Sequence, residues 1–103
     1  MSSETNSVEN SSYRMPTTNT LTHIIKLSIV EDKPIMMDYW TQSLEKNVLI
    51  GVHQDTQEKL LVKSEDEYTS PIVKIYKVET EYIIVTENSM YLVSADIPTK
   101  RIN

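Results

Sequence analysis

The clearest pattern in the chain is an alternation of apolar and polar positions that begins near residue 21. Over residues 21–30, LTHIIKLSIV, every second side chain would share one face of an extended strand: Leu21, His23, Ile25, Leu27 and Ile29. β-Branched residues are frequent in this stretch, as is typical of strands. We therefore predict a β-strand as the first element of the domain, with His23 on its core face.

Short apolar segments recur after this one and are separated by turn-forming residues: 35–40, 48–53, 59–63, 71–78, 81–86 and 89–93. The segments 48–53 and 59–63 flank a five-residue loop, which is a common hairpin length. Pro71 suits the first position of a strand, where no ladder donor is lost. Residues 94–103 have weak signals, and both a short edge strand and a frayed tail stay open.

These segments predict an all-β domain of six to seven short strands. Short strands at close spacing favour a small antiparallel barrel or sandwich, of SH3-like or OB-like size. Residues 41–47 are ambiguous, because Met36, Trp40 and Leu44 repeat every four positions and leave a short helix open.

Residues 1–20 have a different composition from the rest of the chain, since Ser, Thr, Asn and Glu dominate them. Such a segment buries too little apolar surface to offset the entropy of ordering it. We predict a disordered leader over residues 1–20 and a single β-rich domain over residues 21–103.

Composition argues against several classes of function. The formal net charge of −5 opposes binding to phosphate backbones, and one glycine cannot supply a glycine-rich phosphate loop. The absence of cysteine rules out disulfides and thiolate metal sites. Neither a signal peptide nor a membrane-spanning run is visible. These features predict a soluble intracellular protein, and no cofactor or metal is expected.

Tyrosines in successive predicted strands are the main candidates for binding: Tyr76, Tyr82 and Tyr91. Beside each of them stands an aliphatic residue that we assign to the core: Ile75, Ile83 and Leu92. If these strands are neighbours, the tyrosines form a cross-strand ladder on the outer face. With Lys74 alongside and Trp40 as a second anchor, this face is expected to bind a protein partner.

The segment 64–72, SEDEYTSPI, combines three consecutive carboxylates with hydroxyl side chains. Consecutive carboxylates in an extended chain point to alternating sides, so we interpret the segment as a solvated connector rather than a metal site. Ser70 precedes Pro71 beside this acidic run and is a candidate for phosphorylation. The spacing of His23 and His53 requires no metal or catalytic site, and no nucleophile motif surrounds any serine.

Together these patterns predict a non-enzymatic protein-interaction or assembly module, acting with a protein partner or as a homo-oligomer. An OB-type protein that binds single-stranded nucleic acid is the alternative. The composition, rich in Ile, Lys, Thr and Asn with one alanine, is typical of AT-rich genomes. It leaves a virion-associated or viral accessory protein as a further alternative.

Overall fold

The computed structural model describes residues 14–102 of the chain. Two helices and seven strands follow one another: α1 (Thr18–Glu31), β1 (Ile35–Met36), α2 (Trp40–Leu44), β2 (Leu49–His53), β3 (Lys59–Val62), β4 (Ile72–Val78), β5 (Glu81–Thr86), β6 (Met90–Ser94) and β7 (Thr99–Ile102). The predicted leader spans residues 1–20, and residues 1–13 of it lie outside the described region. No helix among residues 14–102 is long and apolar enough to cross a membrane.

The strands form two sheets. Sheet A has the order β1-β6-β5-β4, and sheet B has the order β3-β2-β7. One buried cluster lies between the two sheets and contains Ile50 and Leu61 from sheet B with Ile84 and Val93 from sheet A. A second cluster lies on the opposite face of sheet A, under α1. The domain therefore has three layers, in the order α1, sheet A, sheet B.

The strand-rich fold confirms the coarse sequence prediction, but the predicted antiparallel arrangement is wrong. Both sheets are mixed, because β1 pairs in parallel with β6 and β7 pairs in parallel with β2. The two sheets are not joined into a closed barrel. Segments 48–53 and 59–63 do form the predicted antiparallel hairpin, and the C-terminal residues form the edge strand β7. Parallel partners are distant in sequence, so local patterns carry no information about them.

The predicted strand over residues 21–30 is wrong, because these residues belong to helix α1. The side chains that face sheet A recur at spacings of three and four positions: Leu21, Ile24 and Leu27 are three apart, and Thr20 lies four positions before Ile24. Thr17 caps the helix by accepting a hydrogen bond from the Thr20 backbone N–H, and Asp32 ends it in the left-handed conformation. Ile25 and Ile29 complete the every-second-residue pattern in the sequence, but in the helix they point away from the protein. The pattern therefore resembled a strand although it does not mark one buried face.

The open question over residues 41–47 is decided in favour of a short helix. Helix α2 begins at Trp40, and only Ile35 and Met36 of the predicted strand 35–40 are extended. Ser43 is buried, and its hydroxyl accepts a hydrogen bond from the Ser94 backbone N–H at 2.9 Å. This bond fixes α2 against the end of β6.

A fully buried carboxylate, Glu81 at the start of β5, attaches α1 to sheet A. Its Oε1 accepts hydrogen bonds from the Thr20 hydroxyl at 2.6 Å and from the Thr17 hydroxyl and backbone N–H at 3.2 and 3.3 Å. Its Oε2 accepts from Arg14 at 3.0 Å and from the Thr80 hydroxyl at 2.9 Å. Residues 14–20, placed by the sequence prediction in the leader, are therefore bound to the folded domain.

The environment of Glu81 favours its ionised form. Burial alone would raise the pKa, but the hydrogen bonds from Thr20, Arg14, Thr80 and Thr17 outweigh it and lower the pKa to about 2. A carboxyl group with a pKa near 4.5 in the unfolded chain therefore gains protons on unfolding in mild acid. The stabilisation is present above pH 4.5 and is lost as the pH falls from 4.5 towards 2.

We expect Glu81→Gln to reduce the dependence of stability on acid. The pKa difference corresponds to a stabilisation on the order of 3 kcal/mol, which the wild-type protein loses progressively below pH 4.5. Urea unfolding at neutral pH and at pH values between 4.5 and 2 measures this change in both proteins. The free energy of unfolding should fall less steeply in the variant over this interval.

The exposed residue Glu87 offers a matched control. Glu87 directly follows β5, at the end of the strand opposite to Glu81. Glu87→Gln should leave the acid dependence of stability near that of the wild type. An equal slope in the wild type and in Glu81→Gln would contradict the assignment of this pKa.

Candidate functional site

The outer side of α1 carries an apolar surface, which we call the helix face: Ile25, Ile29 and Val30. Their exposed fractions are 52%, 76% and 78%. Helix α1 thus has two apolar sides, since Ile24, Leu21 and Leu27 already cover sheet A with the other. A surface helix of a globular domain normally presents charged or polar residues opposite its buried stripe. Helix α1 departs from this pattern, because its exposed side carries the three aliphatic residues of the helix face.

Lys26 lies within the helix face. At about 100° per residue, its position around the helix falls between those of Ile29 and Val30. Lys26 is exposed and makes no ion pair or side-chain hydrogen bond within residues 14–102. Its ammonium is therefore free to meet an acidic group beside the apolar side chains.

A second apolar surface covers the outer side of sheet B. The pairing of Leu49 with Val62 and of Gly51 with Leu60 places these residues on the face of the sheet that points away from sheet A. A hollow of about 670 Å³ opens over this face. We call it the hollow, and it is lined by the strand residues Leu49, His53, Leu60, Val62 and Ile102, with Asn47 and residues 63–65 and 68 at the rim.

The floor of the hollow is closed by a tight contact over Gly51. A Cβ atom at Gly51 would lie 2.8 Å from Cδ1 of Ile102 and 3.2 Å from Cγ2 of Val62. Ile102, in β7, therefore packs directly across the central strand β2. The single glycine of the chain allows this close approach.

The acidic segment forms the rim of the hollow. The Ser64 hydroxyl accepts hydrogen bonds from the backbone N–H groups of Asp66 and Glu67, both at 3.2 Å. The Lys63 N–H donates to the Glu67 carbonyl at 2.9 Å, which closes a tight turn. Tyr68 follows the turn and is 59% exposed beside the hollow. Glu65 is exposed at the rim and has no ion-pair or hydrogen-bond partner for its carboxylate among the described residues.

The predicted tyrosine ladder does not form. Tyr76 pairs with Ile83 and packs towards α1, whereas Tyr82 and Tyr91 pack against the cluster between the sheets. All three are only partly exposed. The predicted phase of β4 is also reversed, because Ile75 is exposed and Tyr76 is turned towards the core. This strand lies at the edge of sheet A, where the covered side cannot be assigned from the sequence.

The remaining predicted binding residues are dispersed. Trp40 is buried, donates a hydrogen bond from Nε1 to the Arg14 carbonyl at 2.7 Å, and lies under the Arg14 guanidinium. Lys74 is exposed and its Nζ lies 3.9 Å from the Glu31 carboxylate. The Ser70 hydroxyl accepts a hydrogen bond from the Asn88 amide at 3.0 Å. These side chains share no common surface with Tyr82 and Tyr91.

The two histidines lie on different elements. His23 is exposed on α1 rather than on a core face, and His53 lines the hollow at the end of β2. Within residues 14–102, no three His, Asp or Glu side chains converge in a way that could hold a metal ion. The acidic side chains of the rim turn, Glu65, Asp66 and Glu67, are exposed.

Tyr39 supports the region between the rim and the core. Its ring packs edge-on against Tyr91, with 5.2 Å between the ring centroids, and the Lys63 ammonium lies 4.5 Å from the ring centre. Burial, together with the nearby Tyr91, Asp38 and Glu67 side chains, raises the pKa of Tyr39 to about 12. The phenol therefore stays neutral throughout the physiological range and serves as a packing group beneath the acidic turn.

Sequence reasoning missed both apolar surfaces. The signal for the helix face was Thr17 followed by apolar residues at spacings of three and four, which is an N-cap pattern. The signal for the hollow was the unbroken apolar composition of segments 48–52 and 60–62. Such runs are typical of strands that are covered on both faces.

Comparison with known proteins yields no family for this chain. It matched no protein-family model, and searches of curated proteins and of solved structures found no significant match. Its function has to be argued from the contacts, burial and charges of the chain itself.

We expect Gly51→Ala to destabilise the domain by about 1–3 kcal/mol, which is typical of overpacking. The reason is the short distance from the new methyl group to Ile102. Ile102→Val removes the closest atom, Cδ1, so the two substitutions together should cost less than the sum of their separate costs. Urea unfolding of the wild type, both single variants and the double variant measures this coupling.

Ile97→Val is the control for this cycle, since Ile97 belongs to the cluster between the sheets rather than to the hollow. Its effect should add to that of Gly51→Ala. Additive effects for the Ile102 pair as well would show that the contact over Gly51 does not limit the packing of β7.

Proposed function

We propose that the protein is a non-enzymatic interaction and assembly module that binds a protein surface through the helix face. The observation that carries this proposal is the second apolar side of α1, with Ile25, Ile29 and Val30 exposed on a helix whose opposite side already packs on sheet A. Exposed apolar side chains grouped on one side of a regular element are typical of interaction sites.

Burial of the helix face supplies an appreciable driving force. Each fully buried aliphatic side chain contributes about 1.5–3 kcal/mol relative to its exposed state. Three such side chains on a preformed helix lose little conformational freedom on docking, because the Glu81 network and the core under α1 already hold the backbone. The helix face can therefore bind without prior folding of this segment.

The charge distribution specifies the chemistry of the partner. Lys26 stands among the apolar side chains, whereas the Glu31 carboxylate at the end of α1 is already engaged with Lys74. A partner surface that is apolar and carries a carboxylate opposite Lys26 would satisfy both features of the helix face. Complementary charges of this kind fix orientation more than they increase affinity.

A photo-crosslinking residue in place of Val30 tests the proposal in cells that express the full chain. We expect covalent protein adducts from this position, since Val30 is 78% exposed within the helix face. Ile29→Glu in the same chain should remove most of the adducts, because it places a charge in the apolar contact and opposes the carboxylate of the partner. Mass spectrometry identifies the crosslinked protein and the crosslinked peptide.

Val73 provides the matched control, because it is an exposed aliphatic residue on β4, away from α1. A crosslinking residue at Val73 should give background labelling only, and Val73→Lys should leave the adducts from position 30 unchanged. Equal labelling from positions 30 and 73, or labelling that is insensitive to Ile29→Glu, would overturn the proposal.

A further inference from the structure

The helix face and the hollow lie at opposite ends of the three-layer stack. Helix α1 covers one side of sheet A, whereas no helix or strand among residues 14–102 packs over the outer side of sheet B, where Leu60 is 8% exposed and Leu49, Val62 and Ile102 are half-buried. We propose that the helix face of one copy of the chain docks into the hollow of a second copy, in a head-to-tail contact. This inference rests on the proposed function and names the partner of the helix face as the chain itself.

The strands of sheet B have the composition of strands that are covered on both sides. Ile50 and Leu61 fill the inner face, while Leu49, Leu60 and Val62 lie on the outer face and line the hollow. A helix packed across a sheet is a standard layer in globular domains. Sheet A has such a layer in its own chain, and a second copy would supply it for sheet B.

Charge supports the pairing of these two surfaces. Lys26 stands among the aliphatic residues of the helix face, and Glu65 stands at the rim of the hollow. Neither side chain has an ion-pair partner among the described residues. Docking of α1 across the hollow brings Lys26 of one copy towards the acidic turn of the other, where Glu65 supplies a carboxylate for it.

The dimensions of the two surfaces are compatible. The 14 residues of α1 make a rod about 21 Å long, at about 1.5 Å per residue. Three strands spaced about 4.8 Å apart, with about 3.4 Å per residue along a five-residue strand, make a sheet face of roughly 14 by 17 Å. This contact is smaller than the roughly 800 Å² per partner of a standard stable complex, so we expect weak, concentration-dependent association.

A head-to-tail contact has a consequence that a symmetric dimer lacks. Because the two surfaces lie at opposite ends, each copy can use both at once, and the contact can repeat along a chain of copies. A variant that has lost either surface can still contribute the other one. Two variants that are blocked at different surfaces should therefore complement each other.

The complementation experiment uses two full-length variants. Ile29→Glu blocks the helix face and leaves the hollow intact, whereas Val62→Lys blocks the hollow and leaves the helix face intact. Sedimentation velocity should show concentration-dependent oligomers of the wild type, monomers of each variant alone, and a species with the mass of two 11.9 kDa chains in their equimolar mixture.

Isotope-labelled NMR locates the contact in the mixture. With Ile29→Glu labelled and Val62→Lys unlabelled, chemical shift changes should be confined to β2, β3, β7 and the acidic turn. With the labels exchanged, the changes should be confined to α1. Val73→Lys retains both surfaces and serves as the control. When it is mixed unlabelled with labelled Ile29→Glu, the changes should again be confined to sheet B and the acidic turn, and with labelled Val62→Lys they should be confined to α1.

Each outcome decides the inference. A dimer of Val62→Lys alone would indicate a symmetric contact between helix faces, a dimer of Ile29→Glu alone would indicate a symmetric contact between hollows, and either result overturns the head-to-tail proposal. So does a wild-type protein that stays monomeric at every concentration, as expected if another protein or the N-terminal residues of the same chain occupy the hollow. In that case adducts from position 30 with a different protein would leave the proposed function intact.

Tyr68→Lys serves as a second hollow variant, because Val62 contributes to packing over Gly51 and its replacement could unfold the sheet. Tyr68 is 59% exposed at the rim, so its side chain can be exchanged without loss of core packing. It should reproduce the monomeric state of Val62→Lys and the complementation by Ile29→Glu. If Tyr68→Lys and Val62→Lys are both folded and both associate as the wild type does, the proposal is overturned.

Discussion

The hydrogen bonds to the buried Glu81 carboxylate are the constraint on which the layered arrangement depends. They join the segment at Arg14, the N-cap of α1 and the start of β5 in one place, and Arg14 also lies over the buried Trp40 ring. A buried carboxylate is costly unless its lone pairs are satisfied, and here every oxygen has donors. The position of α1 on sheet A, and with it the direction in which the helix face points, follows from this satisfied charge.

Sheet A occupies the centre of the domain because β5 is apolar on both sides. Ile83 and Val85 pack under α1, and Ile84 packs between the two sheets. Sheet B contains similar apolar strands, yet its outer face is less covered than its inner face in the described part of the chain, with Leu49, Val62 and Ile102 half-buried. The two layers at the ends of the stack therefore differ: one is a helix with an extra apolar side, and the other is a sheet with a partly exposed apolar face. This complementarity underlies the proposed assembly.

The same residues explain the exposed helix face and the failure to find it from the sequence. Ile25 and Ile29 are unnecessary for packing α1 on sheet A, but they complete a pattern of two and made the segment resemble a strand. In an ordinary amphipathic helix these positions are polar, and the period of 3.6 is visible. The tyrosine ladder failed for a related reason. Strand phase can be assigned from a sequence only if the covered side is known, and β4 lies at a sheet edge.

The sequence by itself determined the strand-rich character of residues 48–94 and the hairpin between β2 and β3, because these features depend on local alternation and turn residues. Only the tertiary structure decided that residues 18–31 are helical, since burial against sheet A and the contacts with Glu81 override local strand propensity. It also decided the parallel pairing of β7 with β2 and the position of the hollow. These features join residues that are far apart in the chain, and no local pattern encodes such contacts.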